Sequence, residues 1–236
     1  MGTLLTEGMF NELCKTREKL MREFRPDMVS GIHLPWAGNQ VLNPVERTNS
    51  LYVVGIATAA NYPVQSNFDA ARAYSEQDWR DHPKERAGSP FWQFVSGLTT
   101  FMYDKRHYEC ADRWGWSNIF KIAYNDDVGG PSKWPNPFFD GQREACVVAL
   151  KHEFNQLSKA AIFIASSDDR EMLRLVLPTA KWDEKYNEDG LHFWDEDNTG
   201  NLYIWGYHPK AARMANPPFF DKMLTRSQSL IRERQQ

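Results

Sequence analysis

The segment "GYHPKAAR", residues 206–213, closes an apolar run with an imidazole and two cations. His208 can stabilise an oxygen that gains negative charge, and a preorganised donor of this kind is a strong catalytic device. Lys210 and Arg213 are residues of the type that holds phosphate oxygens, although both also suit a plain solvated face. Asn118, in "WSNIFK", is a second candidate. Asparagine is disfavoured inside strands, so its place in an apolar run asks for a hydrogen-bonded partner. Its amide carries both donor and acceptor, which is what reading the edge of a flat heterocycle requires; an internal structural partner would satisfy it equally. The glycine-led stretch "GIATAANYP", which starts at Gly55 and has Phe68 just beyond it, is the third. Together these groups suit stabilising negative charge as it develops on a bound ring.

To act together, residues so far apart in sequence must be gathered by one sheet. Four short apolar runs predict strands buried on both faces: "LYVVGIAT", "WSNIFKIAY", "AAIFIASS" and "NLYIWGYH". In "LHFWDEDNTGNLYIW", two β-rich runs flank an Asp/Asn/Gly turn and predict a hairpin. Its turn has calcium-loop features in Asp195, Asp197, Thr199 and Gly200, but such a loop needs Glu at its twelfth position, where this chain has Gly206; a solvated turn is expected.

Helical patterns lie between the strands. Phe10, Leu13, Cys14, Leu20, Met21 and Phe24 recur at helical spacing before Pro26. Ser89 caps and Pro90 opens "SPFWQFVSGLTTFMY". "GQREACVVALKHEFNQLSK" places Ala145, Val148, Ala149, Leu150 and Phe154 on one broad face. "DDREMLRLVL" begins with acidic residues, as helix starts prefer, and "PPFFDKMLTRSQSLIRERQQ" predicts a last helix. "GIHLPWAGNQVLNPVERTNS", rich in Gly, Pro and Asn, predicts an irregular loop.

Alternating strands and helices imply an α/β chain in three α/β/α layers, with a short, mainly parallel sheet. The expected organisation is a single domain over 1–236, with an N-terminal helix and loop in 1–50 and a C-terminal helix in 216–236. Ligands of such sheets bind beyond the carboxyl ends of the strands, which here means "GIATAANYP", "YNDDVGG", "SSDDR" and "GYHPKAAR".

Composition narrows the classes. A net charge of -3 does not advertise nucleic acid, but the field that matters to a phosphate is local. Three widely spaced cysteines, Cys14, Cys110 and Cys146, make neither a disulfide framework nor a four-cysteine metal site, and predict reduced thiols in a cytoplasmic protein. No long apolar run predicts a membrane span, and the start "MGTLLTEGMFNELCK" predicts no secretory signal. The phosphate-loop, dinucleotide-fingerprint and nucleophile-elbow motifs are missing, as is any zinc-type spacing. Asp126, Asp127, Asp168 and Asp169 lie at two expected strand ends and suggest a magnesium-dependent phosphoesterase as a third reading, though the latter pair also reads as a helix start.

Taken in order, "GIATAANYP" with Phe68, "SPFW", "WSNIFK", "REACVVALKHEFNQLSKAAIFIAS" and "GYHP" resemble the uracil-DNA glycosylase superfamily over residues 50 to 215. The family has a Gly-led motif after its first strand, an aromatic beyond it, an Asn in a middle strand, a helix-to-strand unit and a His-Pro loop. The resemblance implies the uracil-DNA glycosylase-like fold and a role in DNA repair on a flipped base, with DNA or a nucleobase-containing ligand as partner and no cofactor. His208 would then be catalytic, Gly55, Ala57, Tyr62, Phe68 and Asn118 would surround the base, and Lys210 and Arg213 would hold DNA phosphates. Active members usually carry Asp or Asn near the position of Ala57; here Asn61 is the candidate to reach that space, with Thr58 nearby. The His-Pro loop departs as well, with "KAAR" in place of small wedge residues. Two readings follow: an N-glycosyl hydrolase, or a catalytically inactive nucleic-acid or nucleobase binding module on the same fold.

Overall fold

A computed structural model describes residues 2–43, 50–57, 63–124, 134–166, 170–177, 189–215 and 217–235. The strands are β1 (Gly2–Thr3), β2 (Val29–Ile32), β3 (Trp36–Ala37), β4 (Ser50–Ala57), β5 (Trp114–Phe120), β6 (Ile122–Tyr124), β7 (Ala160–Ala165), β8 (Leu191–Glu196) and β9 (Leu202–Gly206). The α-helices are α1 (Glu7–Glu23), α2 (Asn39–Leu42), α3 (Phe68–Glu85), α4 (Pro90–Tyr103), α5 (Asn136–Gln156), α6 (Arg170–Val176), α7 (Pro209–Ala215) and α8 (Pro217–Gln235).

Seven strands form one sheet in the order β1-β3-β5-β4-β7-β9-β8. The middle four, β5, β4, β7 and β9, run parallel, while β1, β3 and β8 add antiparallel edges. Side chains of the parallel strands alternate between two cores. Tyr52, Val54, Ile162, Ile164 and Tyr203 face a cluster that includes Phe10 and Leu20 of α1, Phe138 and Phe154 of α5, and Leu173 of α6. Leu51, Val53, Phe163 and Ile204 face the other cluster, with Phe94 and Leu98 of α4 and Met223 and Ile231 of α8. Continuous apolar runs are what strands covered on both faces require. The chain is thus α/β with a mixed, mainly parallel central sheet, an arrangement that fits three layers. The connection leaving β4 ends in α4 on one face, and α5, which follows β5 and β6, lies on the other. Neighbouring strand ends whose connections lead away in opposite directions leave a crevice between them, here between β4, whose connection leads to β5, and β7, whose connection leads to β9 on the other side.

Three local expectations change. "GIHLPWAGNQ" is not an irregular loop: residues 31–38 are buried, and the segment ends β2, forms β3 and starts α2, with Trp36 paired to Trp116 and Ala37 to Gly115. Its glycines serve close approach, since a β-carbon at Gly38 would lie 2.3 Å from the main chain of Asp112. The run "WSNIFKIAY" is two strands, because β6 leaves the sheet at Lys121 and pairs with β2. At the break Gln142 of α5 acts as a strand neighbour, its amide oxygen accepting from Ile122 N (3.1 Å) and its amide nitrogen donating to Ile122 O (3.0 Å). On α5, Val148 is 55% exposed, while Gln142, Cys146 and Glu153 are buried. The inward stripe includes polar residues that an apolar pattern cannot register.

The break also places a cation in the core. Lys121 Nζ lies 2.6 Å from Glu153 Oε1, with both side chains wholly buried. It also donates to Ser117 Oγ and to the Asn118 carbonyl, each at 2.5 Å, and the Tyr52 hydroxyl donates to Glu153 Oε2 at 2.9 Å. Removing one partner of such a pair strands the other charge. Lys121→Met is therefore expected to cost about 3–5 kcal/mol in urea unfolding, with Lys121→Met/Glu153→Leu recovering most of the loss. A single-variant loss below about 1 kcal/mol would contradict the ion-pair assignment.

Candidate functional site

Near the carboxyl ends of β4 and β5 lies a complementary pair of residues. Gly55 and Asn118 are register partners in the parallel ladder. A β-carbon at residue 55 would lie 2.7 Å from Asn118 Oδ1, so only glycine leaves room for this amide. Asn118 is 2% exposed, and its Nδ2 has no hydrogen-bond partner among the described residues. A buried donor left unpaired carries a desolvation penalty, so such a group calls for an explanation, a functional role among them.

Phe91 stands over this pair. The Ser89 hydroxyl caps α4 by accepting from Trp92 N at 3.4 Å, and Pro90 occupies the first turn. The Phe91 ring edge then comes within 3.7 Å of the β-carbon position at Gly55. Its other neighbour is His208: the two rings lie nearly parallel, 13° apart in plane, with centroids separated by 5.7 Å.

His208 follows β9 and precedes α7. Its carbonyl accepts from Ala212 N at 3.0 Å, and its Nδ1 faces Lys210 N at 3.3 Å. A main-chain N–H can only donate, so Nδ1 is the unprotonated nitrogen and the ring proton sits on Nε2. Burial, reinforced by the positive charge of Lys210, pulls the imidazole from its usual 6.5 down to about 4. At neutral pH His208 is an uncharged donor through Nε2, suited to an acceptor oxygen that gains charge.

The structure thus brings Gly55, Asn118 and His208 to one face of the sheet, joined by Phe91. Phe68, the first residue of α3, lies elsewhere: its ring is 5.7 Å from Phe10, in the core on the other face. Lys210 is exposed. The Arg213 guanidinium is bonded to Gln93 Oε1 and lies over the Phe220 ring at 4.6 Å. Ala57 is the last residue of β4, paired with Phe120. Thr58, Asn61, Tyr62, Asp126, Asp127, Asp168 and Asp169 fall outside the described residues. Sequence reasoning missed Phe91, although the signal was there: a Ser cap and a first-turn Pro place the next residue at a helix start above the strand ends.

Among the described residues, no group of three or more His, Cys, Asp or Glu side chains could hold a metal ion. The calcium-like turn is a closed hydrogen-bonded structure. Asp197 Oδ1 accepts from Thr199 N, Thr199 Oγ1 and Asn201 N, and Oδ2 accepts from Tyr203 OH and Asn201 Nδ2. Gly200 completes the turn at φ +81°. Burial would raise the Asp197 carboxyl, but these donors outweigh it and hold the group below its usual value.

No family model matches the sequence, and no curated protein matches it.

Two measurements check this geometry. In NMR titration, the His208 ring should stay neutral through pH 5 to 8 and titrate near pH 4. The sign for stability follows, because between about 6.5 and about 4 the unfolded chain binds a proton that the folded chain refuses. His208 therefore takes stability away as pH falls through that window, and makes no difference above it. Separately, Gly55→Ala should destabilise by about 1–3 kcal/mol. The penalty should shrink in an Asn118→Ala background, where the clashing oxygen is gone.

Proposed function

We propose that this chain is a divergent uracil-DNA glycosylase-like protein that binds a nucleobase between Asn118 and His208 and hydrolyses the N-glycosidic bond that holds it in DNA. One observation carries the reading: a buried asparagine amide, unpaired at Nδ2 among the described residues, sits near a strand end beside the glycine that makes space for it. The motif order along the chain, the parallel strands that gather those motifs and the neutral His208 support it further.

The free Nδ2 donor of Asn118 calls for a ring that presents a carbonyl oxygen, as a 4-oxopyrimidine does. Such a base must be flipped out of the helix to reach the crevice, and Phe91 offers an apolar face beside it. As the glycosidic bond breaks, its electron pair moves onto the base. His208 Nε2–H stabilises the resulting anion at a ring oxygen, the sugar cation is captured by water, and the proton that this water releases neutralises the departing base. A neutral imidazole does this without first losing a proton to solvent. Lys210, exposed beside the His-Pro turn, is placed to meet a phosphate.

A second reading, binding without cleavage, is favoured by Ala57. Active relatives usually carry a polar side chain near that position, and alanine can neither orient water nor stabilise a sugar cation.

The test uses oligonucleotides carrying uracil and other altered bases. Incubation followed by alkali should yield strand breaks at the altered base. His208→Ala should lower the rate about 10²–10³-fold, as loss of an oxyanion donor does, and Asn118→Ala should weaken discrimination against the unmodified strand. Tight, base-dependent binding with no abasic product selects the binding module. Neither binding nor cleavage at low salt refutes both readings.

A further inference from the structure

We propose that Arg213 is a positioning residue for His208, tying α7 to the start of α4, and not a phosphate contact. The inference deepens the proposed function and rests on that reading of the site.

Arg213 is engaged on two sides. Its Nη1 donates to Gln93 Oε1, and its guanidinium lies on the Phe220 ring, 4.6 Å from the centroid. Gln93 is in turn committed at its other end, with Nε2 donating to the Gly88 carbonyl at 2.8 Å. Phe220 is 4% exposed and packs edge-on against Phe94, at 5.7 Å and 80°. The arginine therefore sits where α4, α7 and α8 meet. To reach a phosphate it would have to leave a Gln93 acceptor unpaired and uncover an aromatic face.

The consequence falls on the two rings of the site. Gln93 follows Phe91 in the first turn of α4, and Arg213 lies in α7, which His208 immediately precedes. The Phe91–His208 stack spans the same two elements, separated by 5.7 Å between ring centroids. No hydrogen bond can hold a phenyl ring to an imidazole face at that separation. The Arg213–Gln93 bond supplies the directional link between the elements that carry them. Lysine cannot substitute, because a point charge lacks both the planar fork and the flat face used here.

The experiment compares Arg213→Met, Arg213→Lys and Gln93→Leu with the wild type, after circular dichroism has confirmed folding. One readout is the NMR titration of His208. The other is the salt dependence of binding to a uracil-containing oligonucleotide. Both Arg213→Met and Gln93→Leu should move the His208 titration up from about 4 toward 6.5. Gln93→Leu removes no charge, so its shift cannot come from a lost neighbouring cation; Lys210, which also faces the ring, is retained in every variant. Binding should weaken several-fold in all three variants, while the slope of log affinity against log salt stays at the wild-type value. A true phosphate contact would lower that slope by about one on Arg213→Met. Such a drop, or a His208 titration that Gln93→Leu leaves in place, overturns the proposal. If Arg213→Met does not fold, Gln93→Leu decides by the same titration. If the wild-type protein binds no oligonucleotide, the proposed function fails, and the titration alone still judges the positioning role.

Discussion

A buried ion pair sets the geometry of the site. Lys121 and Glu153 are both fully enclosed, and their charges are matched by Ser117, Tyr52 and the Asn118 carbonyl. Such a pair is weak evidence for stability, because desolvation offsets much of its attraction. What it provides is position. Tyr52 belongs to β4, Ser117 and Asn118 to β5 and Glu153 to α5, so the network fixes two strands and a helix against one cation. Burial, and then the Glu153 charge, push the Tyr52 phenol far above its usual value, so it remains a donor. Asn118 is held by its main chain on this side of the sheet while its side chain meets Gly55 on the other. The residue proposed to read a base is thus anchored by groups on the far side of the sheet.

The opposite ends of the strands show a contrasting use of the same residue types. Asn201 bridges the end of α5 to the start of β7, with Nδ2 donating to Leu157 O and Oδ1 accepting from Ala160 N. Asp197 binds Asn201 and closes the hairpin turn. Every polar atom named there has a partner inside the protein. Asn118 lacks one at Nδ2 among the described residues. Two buried asparagines in one sheet therefore separate into a structural amide and an available one. The difference lies in what is missing around the second.

What the sequence reveals tracks how local the cause is. The cores of β4, β7 and β9, the hairpin, and the Ser89 cap with Pro90 all follow from neighbouring residues, and all are found where the pattern predicts them. The α/β class and the mainly parallel sheet follow from their alternation. The short strands β1 and β3 are invisible because a two-residue strand has no period of its own; Trp36 and Ala37 are strand residues only through Trp116 and Gly115. The inward stripe of α5 is misjudged because Gln142 and Glu153 are buried by partners on distant elements. At the site, Asn118 is legible as an anomaly and His208 as a motif. Phe68 and Phe91 are both aromatics near helix starts, and only tertiary contact separates the one in the far core from the one against the imidazole.

The energetics bear on which of the two proposed readings is the stronger. A single well-placed donor to a developing anion contributes about 2.7–4 kcal/mol, whereas enzymes as a class lower barriers by about 8–23 kcal/mol. His208 alone therefore cannot account for efficient hydrolysis. Binding energy from the DNA strand can supply part of the difference by holding the sugar in a strained, near-reacting geometry. The sugar cation still needs a counter-group, and Ala57 offers none. Thr58 and Asn61 are the polar residues that follow it in the chain. In the proposed reaction, catalysis thus depends on whether a polar group next to Ala57 does the work its side chain cannot, while the proposed base recognition needs only Asn118, Gly55 and the paired rings.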